Sequence, residues 1–311
     1  MPANRTDAFS FRDRFPQPVK ALVKTGVEAY GQTTSGSRVL PDFVIVGAQR
    51  AGTTAMYEYV TEHPSIASAT TKEVHYPDLH HDRGLSWYRG HFPTQASMEG
   101  IAERTGHAIT GEASPYYLFH PLAARRLAQA VPDVRVIVML RDPVERLRSH
   151  YSHAWRMGTE RRPLPLALDA EAAVIGREAR RLASGEVARS FEHQHHSYFS
   201  RGRYAGQLER WFGCFPAERI LIVESERFFA QPSVGFDRVL GFLGLEPMRR
   251  VGFPRVHASD AVVLPEDVRE RLRRAYEPHD RELGRLLGRD PVWSGAGPSR
   301  MPAFAGGRGA T

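Results

Sequence analysis

The sequence has little cysteine and no apolar stretch of the length that crosses a bilayer. Cys214 is the single cysteine of the 311-residue chain, which excludes an intrachain disulfide and gives no indication of an oxidising compartment. The N-terminal residues also lack the apolar segment of a secretory signal. We therefore expect a cytoplasmic protein, with Cys214 buried among the apolar residues of its segment WFGCF.

Acidic residues are fewer than basic ones. The chain carries 42 Lys and Arg against 35 Asp and Glu, a formal charge of +7 at pH 7, and its pI is near 9.7. Such an excess favours anionic ligands, among them nucleotides, sulfated or phosphorylated groups, acidic sugars and nucleic acids. The composition does not choose among these classes.

The two ends of the chain differ in composition from its middle. Residues 1–40 are polar and rich in Pro, Gly, Ser and Thr, and we expect a flexible arm there. Residues 294–311 are rich in Gly, Pro and Ala, and we expect a disordered tail. Residues 41–293 are then predicted to form the globular domain.

Within this domain, short apolar runs alternate with amphipathic helical patterns. The predicted strands are 42–46, 107–111, 134–140 and 219–223. The predicted helices are 53–62, 121–131, one opening at Asp142 and Pro143, 232–244 and 265–288. Strand–helix alternation predicts an α/β fold with a mostly parallel sheet between layers of helices.

A glycine-rich loop follows the first predicted strand. In VIVGAQRAGTTAMYEY, Gly47 and Gly52 have the spacing of a P-loop, but Thr53 stands where that loop has lysine, and the basic residue is Arg50. Glycines let the backbone approach a phosphate, and the next helix offers free N–H groups at its N-terminus. We predict an anion site, although without the lysine that binds the β- and γ-phosphates of a Mg-nucleotide. The alternative is an ordinary strand–helix turn.

A second group of polar residues follows the strand VRVIVML. Asp142 precedes Pro143, so it is predicted to cap the next helix rather than to bind a metal. Arg141 lies at the carboxyl end of the strand, where ligands bind in parallel sheets, and Ser149 follows on the helix. A guanidinium and a hydroxyl suit a phosphate, so the two loops together indicate a nucleotide with two separate phosphate groups. The alternatives are a surface ion pair for Arg141 and a solvated helix-face hydroxyl for Ser149.

These motifs resemble a known family. The segments DFVIVGAQRAGTTAMYEYVTEHPSI, KEVHY, GEASPYYL and VIVMLRDPVERLRSHY, in this order, are similar to sulfotransferases that use 3′-phosphoadenosine 5′-phosphosulfate (PAPS). The similar branch contains bacterial carbohydrate-type enzymes and the heparan sulfate sulfotransferases, and the resemblance covers residues 40–293. It implies a P-loop-like three-layer sandwich with a central, mostly parallel five-stranded sheet flanked by helices. It also implies PAPS as the sulfuryl donor, with no metal required.

The resemblance further implies roles for individual residues. The 5′-phosphosulfate is expected to bind at Gln49, Arg50, Ala51, Gly52, Thr53 and Thr54. The 3′-phosphate is expected at Arg141 and Ser149. In KEVHY, Glu73 is expected to take the proton from an acceptor hydroxyl, and His75 is the alternative base. Lys72 and His75 are also expected to contact the acceptor, which is a carbohydrate or small metabolite.

Three departures from the family pattern qualify these expectations. Arg50 stands where the family usually has lysine, and it keeps the charge but not the geometry or the ready deprotonation of an amine. Ala113 stands where some heparan-type enzymes have lysine, which puts heparan-like acceptor contacts in doubt. The late loop that covers the nucleotide is not recognisable in 249–261. The candidates to replace it are Arg249, Arg250 and Arg255.

Two other functions stay open at this point. A small-molecule kinase would need Mg²⁺ and ATP, and the missing lysine argues against it. A nucleic-acid-binding protein would use the basic charge, but no nucleic-acid-binding motif accompanies that charge. The histidine groups LHHDRG and HQHH lack the spacing of a zinc site, so we expect them on a solvated or acceptor-facing surface.

Overall fold

The computed structural model describes residues 17–250, 252–253 and 262–294. A parallel sheet of five strands lies at the centre, in the order β2-β3-β1-β4-β5. Its strands are β1 Phe43–Gly47, β2 Ile66–Ser68, β3 Ile109–Ala113, β4 Arg135–Leu140 and β5 Ile220–Glu224. The predicted α/β architecture with a five-stranded sheet is therefore confirmed.

The three central strands are buried on both faces, as a sheet covered by helices requires. Every residue of β1 and β3 is buried, and in β4 only Arg135 is partly exposed. Phe43 pairs with Gly111 on one side and with Arg135 on the other. Position 111 requires glycine, because a Cβ there would lie 2.4 Å from the carbonyl oxygen of Phe43.

Helices cover the sheet and account for most of the described chain. In chain order they are α1 Gln17–Thr33, α2 Thr53–Thr61, α3 Tyr76–Leu79, α4 Gly84–Arg89, α5 Gln95–Thr105, α6 Ala123–Ala130, α7 Pro143–Met157, α8 Leu164–Ser184, α9 Phe191–His195, α10 Tyr204–Phe212, α11 Ser225–Ala230, α12 Pro232–Leu243 and α13 Glu266–Leu287. No helix within the described ranges is both long and apolar enough to span a membrane.

Helix α7 shows why the sequence pattern was informative. Asp142 caps it by accepting hydrogen bonds from the N–H groups of Val144 and Glu145, as predicted. The apolar stripe of α7, formed by Val144, Leu147, Tyr151 and Ala154, is buried in one core cluster. This packing fixes the opposite, polar face of α7, which carries Ser149.

The ends of the domain depart in part from the composition-based prediction. Helix α1 falls inside the predicted arm of residues 1–40, and its Gly31 lies against Gly90 so closely that a Cβ would be 2.4 Å from the Gly90 carbonyl oxygen. Residues 1–16 of the arm and 295–311 of the tail lie outside the described residues. Cys214 is partly buried and packs against the main core.

The carboxyl ends of all five strands lie at one edge of the sheet because the strands are parallel. The loop after β1, the segment before α3 and the start of α7 therefore meet there. These are the segments that hold the predicted site residues.

Candidate active site

The glycine loop connects β1 to α2 and leaves the start of that helix open. Gly52 precedes the helix with a φ of 92°, in the left-handed region that favours glycine. A Cβ at this position would lie 3.2 Å from the ring of Phe229, so the close packing also requires glycine. The N–H groups of Thr53 and Thr54, in the first turn, have no partner within the helix and are available to an anion.

Arg50 connects the two predicted phosphate sites. Its Nε donates a hydrogen bond of 3.0 Å to Ser149 Oγ, and its carbonyl oxygen accepts one of 3.0 Å from Arg141 Nη1. Two residues of the second group thus contact the glycine loop directly. The structure brings Arg50, Arg141 and Ser149 together, as the sequence predicted.

The electrostatics of this region favour an anion. Burial lowers the pKa of Arg50, and the positive charges of Arg156, Arg141 and Arg146 lower it further. The hydrogen bonds of Arg50 and Arg141 go to uncharged groups, and neither forms an ion pair with a carboxylate of the described residues. An anionic ligand would relieve the repulsion among these cations.

Gln49 is held by a residue that sequence reasoning missed. Its Oε1 accepts a 2.5 Å hydrogen bond from Nη1 of Arg201, which is almost fully buried between α9 and α10. The Arg201 guanidinium lies over the ring of Tyr116 at 4.9 Å. Nothing in the segment SYFSRGRY distinguished this arginine from a surface one, because its burial depends on tertiary packing.

The KEVHY segment lies beside the start of α2. Lys72 Nζ donates to Thr54 Oγ1 at 2.7 Å and lies 2.8 Å from Glu73 Oε1. His75 Nε2 is 3.2 Å from Glu73 Oε2, and His75 Nδ1 is 2.9 Å from Asp78 Oδ2. The predicted acceptor residues are therefore brought together next to the anion loop, with Asp78 as an additional member.

These contacts set the protonation of the group. Partial burial raises the pKa of Glu73, but the hydrogen bond from His75 and the charge and hydrogen bond of Lys72 outweigh it and bring that pKa to about 2. Burial lowers the pKa of His75, but Asp78 and then Glu73 outweigh it and raise that pKa to about 10. At neutral pH Glu73 is a carboxylate and His75 an imidazolium. The Glu73 side chain is 39% exposed, so an acceptor can reach it.

A buried carboxylate holds the backbone of this segment. Glu112 on β3 is fully buried, and its oxygens accept hydrogen bonds from Val74 N–H and from the hydroxyls of Ser114, Tyr88 and Tyr117. Ser114 Oγ in turn accepts from His75 N–H. The segment GEASPYYL contains Glu112, Ser114 and Tyr117, so the motif was visible in the sequence although its role was not.

The other predicted candidates have structural partners. Buried His193 is bonded to the hydroxyl of Tyr116, and burial is the main cause that lowers its pKa to about 2. Across the described ranges, no group of three or more His, Cys, Asp or Glu is placed to hold a metal ion. Arg250 pairs with Glu62 at 2.6 Å and stacks on Tyr59 at 4.2 Å. Arg255 lies outside the described residues.

Comparison with known proteins agrees with this arrangement. Residues 40–252 match the family model described as a sulfotransferase domain. The chain is 29% identical over 284 residues to mouse heparan sulfate glucosamine 3-O-sulfotransferase 3A1, covering 84% of this chain and 66% of that protein. It is 30% identical over 282 residues to mouse heparan sulfate glucosamine 3-O-sulfotransferase 6, covering 83% and 75%. The chain thus spans slightly less than two thirds of the 3A1 protein.

A solved structure shows the same fold. The sulfotransferase from Alicyclobacillus acidocaldarius superposes with a TM-score of 0.59 at 27% identity, covering 81% of this chain and 98% of that one. The family match extends over more than half of the chain and includes the glycine loop, the KEVHY segment and the start of α7. The resemblance predicted from the motifs is confirmed, and the chain belongs to the sulfotransferase family.

Proposed function

We propose that the protein is an enzyme that transfers a sulfuryl group from PAPS to a hydroxyl of a carbohydrate or small-metabolite acceptor. The observation that carries this proposal is the joining of two anion-binding groups by Arg50, next to a carboxylate that is open to solvent. A donor with phosphate at both ends of its nucleoside fits such a site. The family match supports the same donor.

The donor set suits the anionic groups of PAPS. Free N–H groups at the start of α2 and the Arg50 guanidinium would bind the 5′-phosphosulfate. Arg141 and Ser149, which both contact Arg50, would bind the 3′-phosphate. The bond of Arg50 to Ser149 uses only Nε, which leaves the two Nη groups of the guanidinium for the ligand.

Transfer requires an acceptor oxygen in line with the sulfur and the leaving oxygen. Glu73 accepts the proton of the acceptor hydroxyl as the new S–O bond forms. Arg50 and the N–H groups of the loop stabilise the charge that develops on the leaving phosphate. His75 donates to Glu73 and is already protonated, which favours Glu73 over His75 as the base.

Support for the kind of acceptor comes from the relatives rather than from the site. The names of the two mouse relatives state action on heparan sulfate glucosamine, a carbohydrate. Ala113 lies under this region, and its N–H binds the Lys72 carbonyl, so its methyl group offers no charge to an acceptor. We therefore propose a hydroxyl-bearing acceptor and leave its sugar or metabolite class to the assay.

An assay with PAPS labelled in the sulfuryl group and a panel of hydroxyl acceptors, run in EDTA, tests the proposal. We expect transfer to at least one acceptor, and binding of adenosine 3′,5′-bisphosphate that Arg141→Ala weakens. Arg125→Ala, which changes an exposed arginine of α6, is the matched control. Absence of both transfer and bisphosphate binding would refute the proposal, whereas EDTA-sensitive ATP turnover would support the kinase alternative.

A further inference from the structure

Lysine is rare in this chain, and one lysine lies in the site. Lys20, Lys24 and Lys72 are the only lysines among the 42 basic residues. From residue 25 to the C-terminus, every other basic Lys/Arg position is arginine, including the positions that form surface ion pairs. The composition of the chain therefore does not explain a lysine next to the anion loop.

The ammonium group of Lys72 lies between the start of α2, where the donor is proposed to bind, and the carboxylate of Glu73. It donates to Thr54 Oγ1 at the start of α2, and it pairs with Glu73 Oε1 at 2.8 Å. An ammonium has three N–H donors, and these two contacts use two of them. The third is available to an anion bound at the first turn of α2.

The chemistry gives a reason for lysine at this point. Arg50 supplies a planar fork whose orientation is fixed through Nε by Ser149, whereas an ammonium is a compact charge with rotatable donors. A sulfuryl group in transfer has three oxygens that move as the S–O bond to the donor breaks. A compact, mobile cation can follow those oxygens better than a planar fork.

We propose that Lys72 is a catalytic residue whose ammonium binds the sulfuryl oxygens during transfer and, in shifting toward them, leaves Glu73 free to take the proton of the acceptor. This inference rests on the proposed function. The bond from sulfur to the bridging oxygen of the donor breaks, and the bond from sulfur to the acceptor oxygen forms. The acceptor proton goes to Glu73, and the electron pair leaves with the 5′-phosphate of adenosine 3′,5′-bisphosphate.

A purely structural role for Lys72 makes a different prediction. The neighbours that hold the Glu73 carboxylate ionised are Lys72 and His75, and His75 also faces Asp78. If Lys72 only supports this ionisation, Lys72→Met raises the pKa of Glu73. Activity is then lost at low pH and recovers at high pH, where Glu73 is ionised in any case.

The decisive measurement is the pH profile of kcat in Lys72→Met, Lys72→Arg and the unchanged enzyme. We expect Lys72→Met to lose on the order of 10²–10³-fold in kcat across the whole profile, the size of effect found when one donor to a developing charge is removed. Lys72→Arg should retain an intermediate rate. Binding of adenosine 3′,5′-bisphosphate, which has no sulfuryl group, should stay within about threefold, because only contacts made in transfer are lost.

A labelling experiment checks the contact itself. Reductive methylation followed by peptide mass spectrometry reads Lys72 separately from Lys20 and Lys24, which serve as internal references. We expect PAPS to protect Lys72 more than adenosine 3′,5′-bisphosphate does. Equal protection by the two nucleotides would contradict the proposed contact with the sulfuryl oxygens.

Controls separate this inference from the proposed function. Arg271→Met removes an exposed cation paired with Asp267 on α13 and should leave transfer unchanged. If the unchanged enzyme transfers and Lys72→Met regains its full rate at pH 9, the inference is wrong and the proposed function stands. If the unchanged enzyme neither transfers a sulfuryl group to any acceptor nor binds adenosine 3′,5′-bisphosphate, both are wrong.

Discussion

Two residues of the site have backbone conformations that residues other than glycine rarely adopt. Among the described residues, Arg50 and His75 are the non-glycine residues with positive φ, at 72° and 58°. Such a conformation costs about 1–2 kcal/mol per residue, and it persists only where neighbouring contacts impose it. Here the contacts are Arg141 on the Arg50 carbonyl and Ser114 on the His75 N–H. The strain is thus located at the two residues proposed to handle the donor and the acceptor.

Glu73 gives the most direct test at this scale. Glu73→Gln keeps the shape of the side chain but cannot accept a proton, so kcat should fall by about 10²–10⁴-fold. Binding of adenosine 3′,5′-bisphosphate, measured by calorimetry, should be retained. Glu103→Gln, an exposed change on α5, is the control. A fully active Glu73→Gln enzyme would show that another group is the base.

At the scale of elements, prediction from sequence worked where periodicity and capping were strong. The strands at β1, β4 and β5 and the start of α7 were found within one residue, because long apolar runs and the Asp-Pro pair mark them. β3 was placed two residues early because Gly111 was taken as its end, although the glycine lies inside the strand against Phe43. β2 has three residues and no usable pattern, and it exists because it pairs with β3.

The residues of the site likewise fall into those that the sequence predicted and those that it did not. The residue types and their order along the chain predicted the anion loop, Arg141 and Ser149, and the family resemblance indicated Glu73. Asp78, Glu112 and Arg201 were missed because their roles come from contacts between distant segments, such as Arg201 with Gln49. A sequence shows which groups are present, but the pairing of buried polar groups depends on how the elements pack.

The loop before α2 depends on Gly52. Gly52→Ala places a Cβ at positive φ and 3.2 Å from Phe229, so we expect a loss of about 1–2 kcal/mol in the free energy of unfolding. Bisphosphate binding should weaken because the N–H groups of α2 shift. Gly241→Ala in α12, where a Cβ meets nothing within 4 Å, should be neutral or stabilising. Similar denaturation midpoints for the two variants would contradict this account.

The support under the KEVHY segment depends on Glu112. In Glu112→Gln an NH₂ group replaces an oxygen that accepts two hydrogen bonds, and each orphaned donor costs about 1–3 kcal/mol. We expect lower stability in denaturant and a lower kcat, with bisphosphate affinity in the folded enzyme largely kept. Tyr88→Phe removes one donor and should cost less. Equal stability of Glu112→Gln and the unchanged protein would argue against this support.

For the whole molecule, stability depends on how the end of the described chain is attached. Asp280 on α13 accepts a 3.0 Å hydrogen bond from Trp293 Nε1, and Trp293 lies edge-on to Tyr204. Tyr204 donates to the carbonyl oxygen of Arg141. The last described residues are therefore connected to the proposed 3′-phosphate site through two side chains.

This attachment should respond to pH. Burial is the main cause that raises the pKa of Asp280 to about 6. The hydrogen bond from Trp293 lowers this pKa, and the negative charge of Asp142 raises it. Between about pH 4 and pH 6 the Asp280 carboxyl is therefore protonated in the folded chain and ionised in the unfolded chain. The stabilisation from the Asp280 carboxyl is complete below about pH 4 and is lost as pH rises through 6. Asp280→Asn does not titrate and should be more stable than the unchanged protein at pH 7 by about 1–2 kcal/mol, after allowance for solvent screening.

Urea unfolding at pH 4.5 and pH 7 measures this difference. The advantage of Asp280→Asn should be small at pH 4.5 and full at pH 7. Asp237→Asn, at an exposed position of α12, should show no such change. A constant difference between Asp280→Asn and the unchanged protein at both pH values would exclude Asp280 as the titrating group.

The hydrogen bond between Arg50 and Ser149 has a consequence for ligand choice. Arg50 Nε donates to Ser149 Oγ, so the serine keeps its own O–H for the proposed 3′-phosphate, and this contact couples the two proposed phosphate sites. A nucleoside bisphosphate would contact both partners of this bond, the guanidinium with its 5′ end and the hydroxyl with its 3′ end, whereas a nucleotide with a single phosphate would contact one of them. From the proposed function we therefore expect adenosine 3′,5′-bisphosphate to bind more tightly than a mononucleotide, because its two ends are coupled through this contact.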